Sequence, residues 1–549
     1  MASGSAYRPQ LRAELKLWIP EDPERDGPPR LGDPLTGNQL VLRARWQLNV
    51  LELCDGSRDL EALWRALPEP ERPAALRELV RFVKSLRYLR LTTDADADSL
   101  RRLGGARAHP EAMLGAPLVA LDEQARFGCQ GCGACCRVYN NYGPLTARDV
   151  QRLQALEDLE QRLPHLRGRP RYVMRRHGEG PASEEPYLPQ RPDGRCAYLL
   201  PDNRCAIHAY WGEEHKPLLC RLYPSRVRLT VFGKLVVDRP ECHSFGVSAF
   251  TGPTTLERLR RLEREIDELL VEEGLYHPPV DLDGGLVIDY AYFLGFLLHL
   301  QRVLEHPGGT VVDALRAVRD ATFDLIDRLE SADDAAVQPH EVITAACAVP
   351  PAQRYGEPYP PIEAARGLEA LADWLQHQAR AAERVVGASG QSPHQRHAET
   401  IEHLRLAALR CRLATPGRPR QLELWLPELA ARLRQLERLP LPLEDPTTDR
   451  RLRRLARDLI FAAELRRAPS WLHVLAQLAG ILTAIAVGAR AEAARAGRAA
   501  VTRRELDLAQ GSTRGAARRL RALPRRRWPT VRAVVEHLSL PEPAGAPAG

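Results

Sequence analysis

Phe127-Gly-Cys-Gln-Gly-Cys-Gly-Ala-Cys-Cys136 sets four thiols, Cys129, Cys132, Cys135 and Cys136, within eight residues. A C-x-x-C pair lets two sulfurs converge on one metal ion because the short loop between them curls back. Gly131 and Gly133 supply the positive φ that such a loop uses. Four more thiols follow at Cys196, Cys205, Cys220 and Cys242, so eight of the chain's 11 cysteines lie in about a fifth of its length. That clustering marks a metal site or a disulfide knot rather than scattered core thiols. The N-terminus, M-A-S-G-S-A-Y-R-P-Q-L-R, lacks the apolar run of a secretory signal. The expected location is therefore the reducing cytoplasm, where clustered cysteines serve metal or redox chemistry instead of pairing. Metal is the expectation.

The donor set is compatible with two metals. Zinc takes four ligands in a tetrahedron, and eight thiols could build two such sites. Iron–sulfur clusters also take four cysteines, and C-x-x-C-x-x-C suits the corner of a 4Fe–4S cubane, which favours iron–sulfur over zinc. Neighbouring Cys135 and Cys136 are expected to point apart, one of them serving a second site. Cys196 and Cys205 flank Pro201-Asp202-Asn203, a hairpin whose two arms each carry a sulfur. Cys220 follows in Lys216-Pro-Leu-Leu-Cys-Arg-Leu-Tyr-Pro224, and Cys242 in Glu241-Cys-His-Ser-Phe-Gly246. The hairpin and the N-terminal loop are expected to close on a common site. His208, His215 and His243 read as polar neighbours. Cys54, Cys347 and Cys411 read as structural thiols, and no paired-carboxylate, Ser/His/Asp or H-E-x-x-H pattern is seen.

The elements that must position these residues divide the chain in three. With 549 residues, 44% hydrophobic and 27% charged, the chain has the composition of a globular protein with room for several domains. Residues 1–105 give short amphipathic helices: Trp46, Val50 and Leu53 on one, Leu60, Leu63, Trp64 and Leu67 on a second, Leu76, Leu79, Val80, Val83 and Leu86 on a third. Asp55-Gly56-Ser57 breaks the first from the second, and Tyr88–Thr93 alternates as a short strand does. This is the order of a small winged-helix-like cap. Thr93–Pro110 reads as a linker, residues 122–250 as a loop-rich cysteine-cluster metal domain, and residues 254–540 as an α-helical domain. The fold class expected is mainly α, with residues 541–549 a disordered tail. Within the cysteine region, Thr146 and Asp149 form the N-terminal cap of a helix through Leu153. Trp471–Ala489 is long enough to span a membrane but reads as a buried core helix, and no membrane partner is expected. The net charge of +7 is mild, and runs such as Arg525–Arg527 read as a solvated helix flank, so no nucleic-acid partner is expected either.

F-x-C-x-x-C-G-x-C-C, L-T-x-x-D-[IV]-x-R-L, C-x-[FY]-L, C-x-I and P-x-x-C-R-x-[FY]-P, followed by a last Cys before a glycine, resemble the YkgJ-type cysteine-cluster family, a zinc- or iron-chelating domain related to flagellin lysine-N-methylases. The resemblance implies that Cys129, Cys132, Cys135, Cys136, Cys196, Cys205, Cys220 and Cys242 are the metal ligands. His208 and Lys216 depart from the Tyr and Arg usual in that family. The methylase relation implies S-adenosylmethionine-dependent methyl transfer to a protein lysine, although no strand-and-glycine-loop pocket for that donor is visible; a non-catalytic module for metal handling or protein binding is the alternative. L-E-L-C-D-G-S-R-D-L-E-A-L-W and L-V-R-F-V-K-S-L-R-Y-L-R-L look like a PqqD-like domain, which implies recognition of a protein or peptide substrate by strand addition.

Overall fold

The computed structural model describes residues 7–22, 27–133, 135–138, 143–176, 184–238, 242, 248, 250–306, 308–332, 339–348, 395–413, 427–462 and 470–506, with Ala509 and single positions between 369 and 383. The Arg525–Arg527 run, the 541–549 tail and His243 lie outside the described residues. The chain is mainly helical, as its periodicity implies.

The first region opens with a three-stranded antiparallel meander, β1 (Lys16–Trp18), β2 (Arg30–Gly32) and β3 (Gln39–Val41). Three helices follow, α1 (Arg45–Leu53), α2 (Leu60–Ala66) and α3 (Leu76–Tyr88). They bury the stripes read from the sequence, with Val50, Leu63, Leu79, Val83 and Leu86 in one core. Gly56 turns the chain at φ +83, and Asp59 starts α2 by accepting the Ala62 N–H at 2.8 Å. The strand expected over Tyr88–Thr93 is not formed. Tyr88 closes α3, Arg90 takes φ +62, and only Thr92 makes a β-bridge, to Leu11. The left-handed turn at Arg90 sends both Leu89 and Leu91 into the core, so the apolar alternation comes from a helix exit rather than a pleat. The linker reading of Thr93–Pro110 is also corrected. Ala97–Ala108 is helix α4, started by Asp96, which accepts the Ser99 N–H at 2.7 Å, and its Ala, Arg and Leu are good helix formers.

Two stretches with no periodic helix pattern build the sheet at the centre of the molecule. β7 (Ser225–Thr230) and β8 (Gly233–Asp238) form an antiparallel hairpin, and β4 (Leu118–Ala120) adds parallel to β8. The sheet is covered on both faces. Val227, Leu229 and Val236 pack on helices α10 (Thr255–Arg260) and α11 (Glu263–Glu273), while Leu235 and Val237 face the C-terminal helices.

The C-terminal region joins α12 (Tyr290–Glu305), α13 (Val311–Ser331), α14 (Pro339–Ala348), α15 (Gln395–Leu413), α16 (Pro427–Glu437), α17 (Pro446–Ala462) and α18 (Trp471–Arg495). One helix, α18, is long and apolar enough to cross a membrane, and 94% of its apolar window is buried inside the fold. It is the axis around which α15, α16 and α17 pack.

The first region is fastened to the C-terminal helices by polar groups. Lys84 donates to the carbonyls of Leu329, Glu330 and Ala332 at 3.0, 2.7 and 3.0 Å, capping the negative end of α13. Asp289, fully buried at the start of α12, accepts from Asn38 at 2.8 Å and Arg90 at 3.4 Å and contacts His277 at 2.9 Å.

Candidate metal centre

The loop carrying the first two cysteines begins from a fixed base. The Phe127 N–H donates to Pro253 O at 3.2 Å and the Gly128 N–H to Ser248 O at 2.8 Å, so the start of the cysteine region is stitched to its end. Gly128 must be glycine there, because a Cβ would meet Thr251 Oγ1 at 2.8 Å. Gly131 and Gly133 take φ +62 and +65, the curl expected of the C-x-x-C spacing. Gly133 also lets the loop press on the downstream hairpin, since its Cβ would lie 2.9 Å from that of Asn203. Gly133→Ala should therefore cost about 1–3 kcal/mol from the positive φ alone, read as a lower urea midpoint.

The chain then enters a single helical turn, α5 (Cys135–Val138), and after it α6 (Ala147–Gln154), the short α7 (Leu159–Arg162) and an antiparallel pair, β5 (Val173–Arg176) and β6 (Glu184–Tyr187). Thr146 and Asp149 form the capping box read in the sequence, with both reciprocal hydrogen bonds at 3.1 Å. Asp149 also reaches outside its own helix. Its other oxygen accepts the Leu218 N–H at 2.8 Å, which docks α9 (Leu218–Leu222), the helix of Cys220, on the start of α6. Glu265 on α11 receives Arg152 from α6 and Arg221 from α9. Burial pushes the Glu265 carboxyl up, but the two guanidiniums outweigh it and hold it at about 2. Because that folded value lies below the usual carboxylate range, the clamp contributes stability above about pH 4 and loses it as pH falls towards 2. Glu265→Gln should flatten that part of the acid-denaturation curve. Arg258 completes the scaffold by donating to Leu222 O at 3.1 Å and to Ser225 Oγ at 2.7 Å.

The hairpin is present in minimal form. Leu199 and Cys205 make an antiparallel bridge, Leu200 N–H donates to Arg204 O at 2.9 Å, and Asn203 takes φ +70 at the turn. Cys205 then leads directly into α8 (Ala206–Trp211). The Cys196 N–H donates to Cys136 O at 2.8 Å, joining hairpin and first loop.

These elements bring five of the eight predicted ligands together. Cys136, Cys196, Cys205 and Cys220 are packed in one apolar cluster, and Cys135 Sγ lies 3.8 Å from Cys136 Sγ. The expectation that neighbouring Cys135 and Cys136 diverge is therefore corrected: the helical turn that begins at Cys135 directs both sulfurs to one side. Their spacing is already that of two sulfurs on a tetrahedral ion with bonds of about 2.3 Å, which is about 3.8 Å. The sulfur contact with Cys136, with Lys216 nearby, brings Cys135 below the usual thiol range against the effect of burial, while Cys136 itself is pushed strongly up. Burial pushes Cys196 up to about 12, with Cys205 and Cys135 adding to it. Burial likewise raises Cys220 well above the ordinary thiol range; Lys216 opposes that rise and Cys205, Cys196 and Cys135 add to it. Burial works against the Lys216 ammonium, but Cys220 and Cys205 more than offset it. Lys216 is thus a counter-cation set among thiols.

The other three predicted ligands lie outside that apolar cluster, although Cys129 also acts on the Lys216 ammonium. Cys129 is exposed and Cys132 half-buried on the glycine loop, and Cys242 is buried against Phe127, with Tyr223 and Phe250 alongside. None of the 11 cysteines forms a disulfide. Among the described residues no three Cys, His, Asp or Glu side chains are drawn to ligand distance around one point. His208 is exposed on α8, and His215 lies 3.6 Å from Glu214. The β7–β8 hairpin and the Glu265 clamp escaped sequence reading. The alternation in Val-Arg-Leu-Thr-Val-Phe-Gly-Lys-Leu-Val-Val was the available signal for the hairpin.

Residues 128–243 match the CxxCxxCC family model, described as "Putative zinc- or iron-chelating domain". The matched span begins at the glycine before Cys129 and ends one residue after Cys242, so it encloses all eight thiols. No curated protein and no solved structure matches the chain. The donor set fits that description: four thiols gathered at one apolar cluster, a fifth in sulfur contact with one of them, a counter-cation and glycines that permit close approach suit a thiophilic ion.

Proposed function

We propose that residues 122–250 hold a thiolate-ligated metal centre, an iron–sulfur cluster in preference to zinc, with Cys129, Cys132, Cys135, Cys136, Cys196, Cys205, Cys220 and Cys242 as its ligand pool. The observation that carries this reading is the packing of Cys135, Cys136, Cys196, Cys205 and Cys220 in one nest without a disulfide. The C-x-x-C-x-x-C spacing favours the cubane. A polynuclear cluster of net negative charge also makes better use of the Lys216 ammonium than a single ion does. The chemistry such a centre would supply is electron transfer or substrate ligation; this chain's cysteines would hold it and Lys216 would balance its charge. Protein purified without oxygen should be brown, absorb broadly near about 400 nm and bleach with dithionite. A colourless protein with stoichiometric zinc would remove the iron–sulfur assignment.

The surrounding chain fits a protein-modifying role. β1 is an edge strand of the N-terminal meander; Leu17 and Trp18 within it and Ile19 just after it are 46%, 45% and 59% exposed, a surface to which an extended peptide could add as a fourth strand. Methyl transfer from S-adenosylmethionine to a protein lysine is the reaction this role would take, on the methylase resemblance. The all-thiol donor set supports the second reading, a non-catalytic module for metal handling or protein interaction, since structural zinc sites are commonly built from cysteines alone.

A further inference from the structure

The eight thiols are not equivalent in this fold. Cys136, Cys196, Cys205 and Cys220 share one apolar cluster, with Cys135 in sulfur contact with Cys136. Each is held by backbone that other elements fix: the Cys136–Cys196 hydrogen bond, the Leu199–Cys205 bridge, and α9 docked by Asp149. Cys129 and Cys132 lie outside that cluster, on the glycine loop, with Cys132 half-buried. Cys129 is exposed, and between the two Gly131 has no atom within 4 Å of where a Cβ would sit. The base of their loop is nonetheless fixed, by Gly128 on Ser248 and by Gln130 Nε2 on Gly128 O at 2.8 Å and Thr251 Oγ1 at 3.1 Å.

A short arm with a pinned base, an open tip and positive-φ glycines can swing its sulfurs without disturbing the nest. We infer that Cys129 and Cys132 form a capture clasp, meeting an incoming metal ion first and closing over it, while Cys135, Cys136, Cys196, Cys205 and Cys220 form the nest that retains it. This rests on the metal reading above. Each thiol that joins the metal gives its proton to solvent, and no electron is exchanged. Exposed Cys129, with half-buried Cys132 behind it, provides a route from bulk water to the more deeply set donors.

The test uses the reduced, full-length chain and zinc as the probe. In the metal-free protein, a brief pulse of N-ethylmaleimide should modify Cys129 and Cys132 roughly tenfold or more faster than Cys196 and Cys220, and zinc saturation should protect the pair. The double variant Cys129→Ser/Cys132→Ser should still bind zinc but release it to a chelator roughly tenfold or more faster than wild type. If the pair stays reactive in the zinc-saturated protein, or if the double variant binds no zinc or releases it at the wild-type rate, the division into clasp and nest is wrong while the metal reading stands. Wild-type protein that takes up neither zinc nor iron would end both.

Discussion

Cys205→Ser should empty the metal centre and destabilise the hairpin that carries it, whereas Cys347→Ser should leave both intact. Cys205 is bridged to Leu199 in the hairpin and packed with Cys136, Cys196 and Cys220. Its loss removes one ligand and leaves a hydroxyl among thiols that burial has already pushed up. Thiolate ligation contributes on the order of 10 kcal/mol where metal and folding are coupled, so a 100-fold or greater loss of metal affinity is the expected scale. Cys347 is only half-buried and packs against the C-terminal core. Its replacement should cost about 1–2 kcal/mol, as ordinary core substitutions do. Metal analysis on purified variants, paired with limited proteolysis across 128–243, reads both effects. Full metal occupancy in Cys205→Ser would exclude the hairpin from the centre.

The second large effect concerns Asp289. Its carboxylate is fully buried, accepts the Ala291 N–H at 2.8 Å as the cap of α12, and holds Asn38, Arg90 and His277. Burial pushes its pKa up, but His277, Arg90 and Asn38 outweigh burial and bring it to about 2. Asp289→Ala strands a buried guanidinium and removes the cap, so a loss of about 3–5 kcal/mol is expected, seen as a lower urea midpoint. The sign of the pH dependence follows. A folded value below the unfolded one of about 3.9 means that the stabilisation is complete above about pH 5 and is lost as pH falls through 2. Asp289→Asn should be less stable than wild type at pH 7, and the gap should narrow below about pH 3. A gap that stays constant from pH 7 to about 2.5 would show that the carboxylate charge is not the source.

Much of the cysteine region was legible because its chemistry depends on residue type and spacing. Positive φ at Gly131 and Gly133, the Thr146–Asp149 box and the hairpin turn at Asn203 are local devices, and local devices are written in adjacent residues. The ranking of the thiols was not legible, since it depends on which neighbours cover them. Spacing alone gives Cys132 and Cys205 equal weight, whereas the fold leaves the first on an open loop and packs the second. Cys135 and Cys136 misled for a related reason: alternation in an extended chain would part their sulfurs, and one helical turn does not. In the N-terminal region, helical stripes such as Leu79, Val83 and Leu86 were plain, but the β1–β3 meander was hidden because each strand is three residues long. Arg90 shows the limit of pattern reading, because one left-handed residue turned an apparent strand into a helix exit. The buried course of α18 was readable from its composition, with His473 and Gln477 inside the apolar run.

The stitching of Phe127 and Gly128 to Ser248 and Pro253 makes the chain leave the cysteine region where it entered. Closing a flexible loop of about 120 residues costs roughly 4 kcal/mol of chain entropy, and here the hydrogen bonds between its two ends offset part of that cost. Ligand affinity is then set by local rearrangement of sulfurs instead of by gathering distant segments. It also means that the region interrupts its host chain without stretching it: the segments before and after it meet side by side, as the two ends of an inserted loop do.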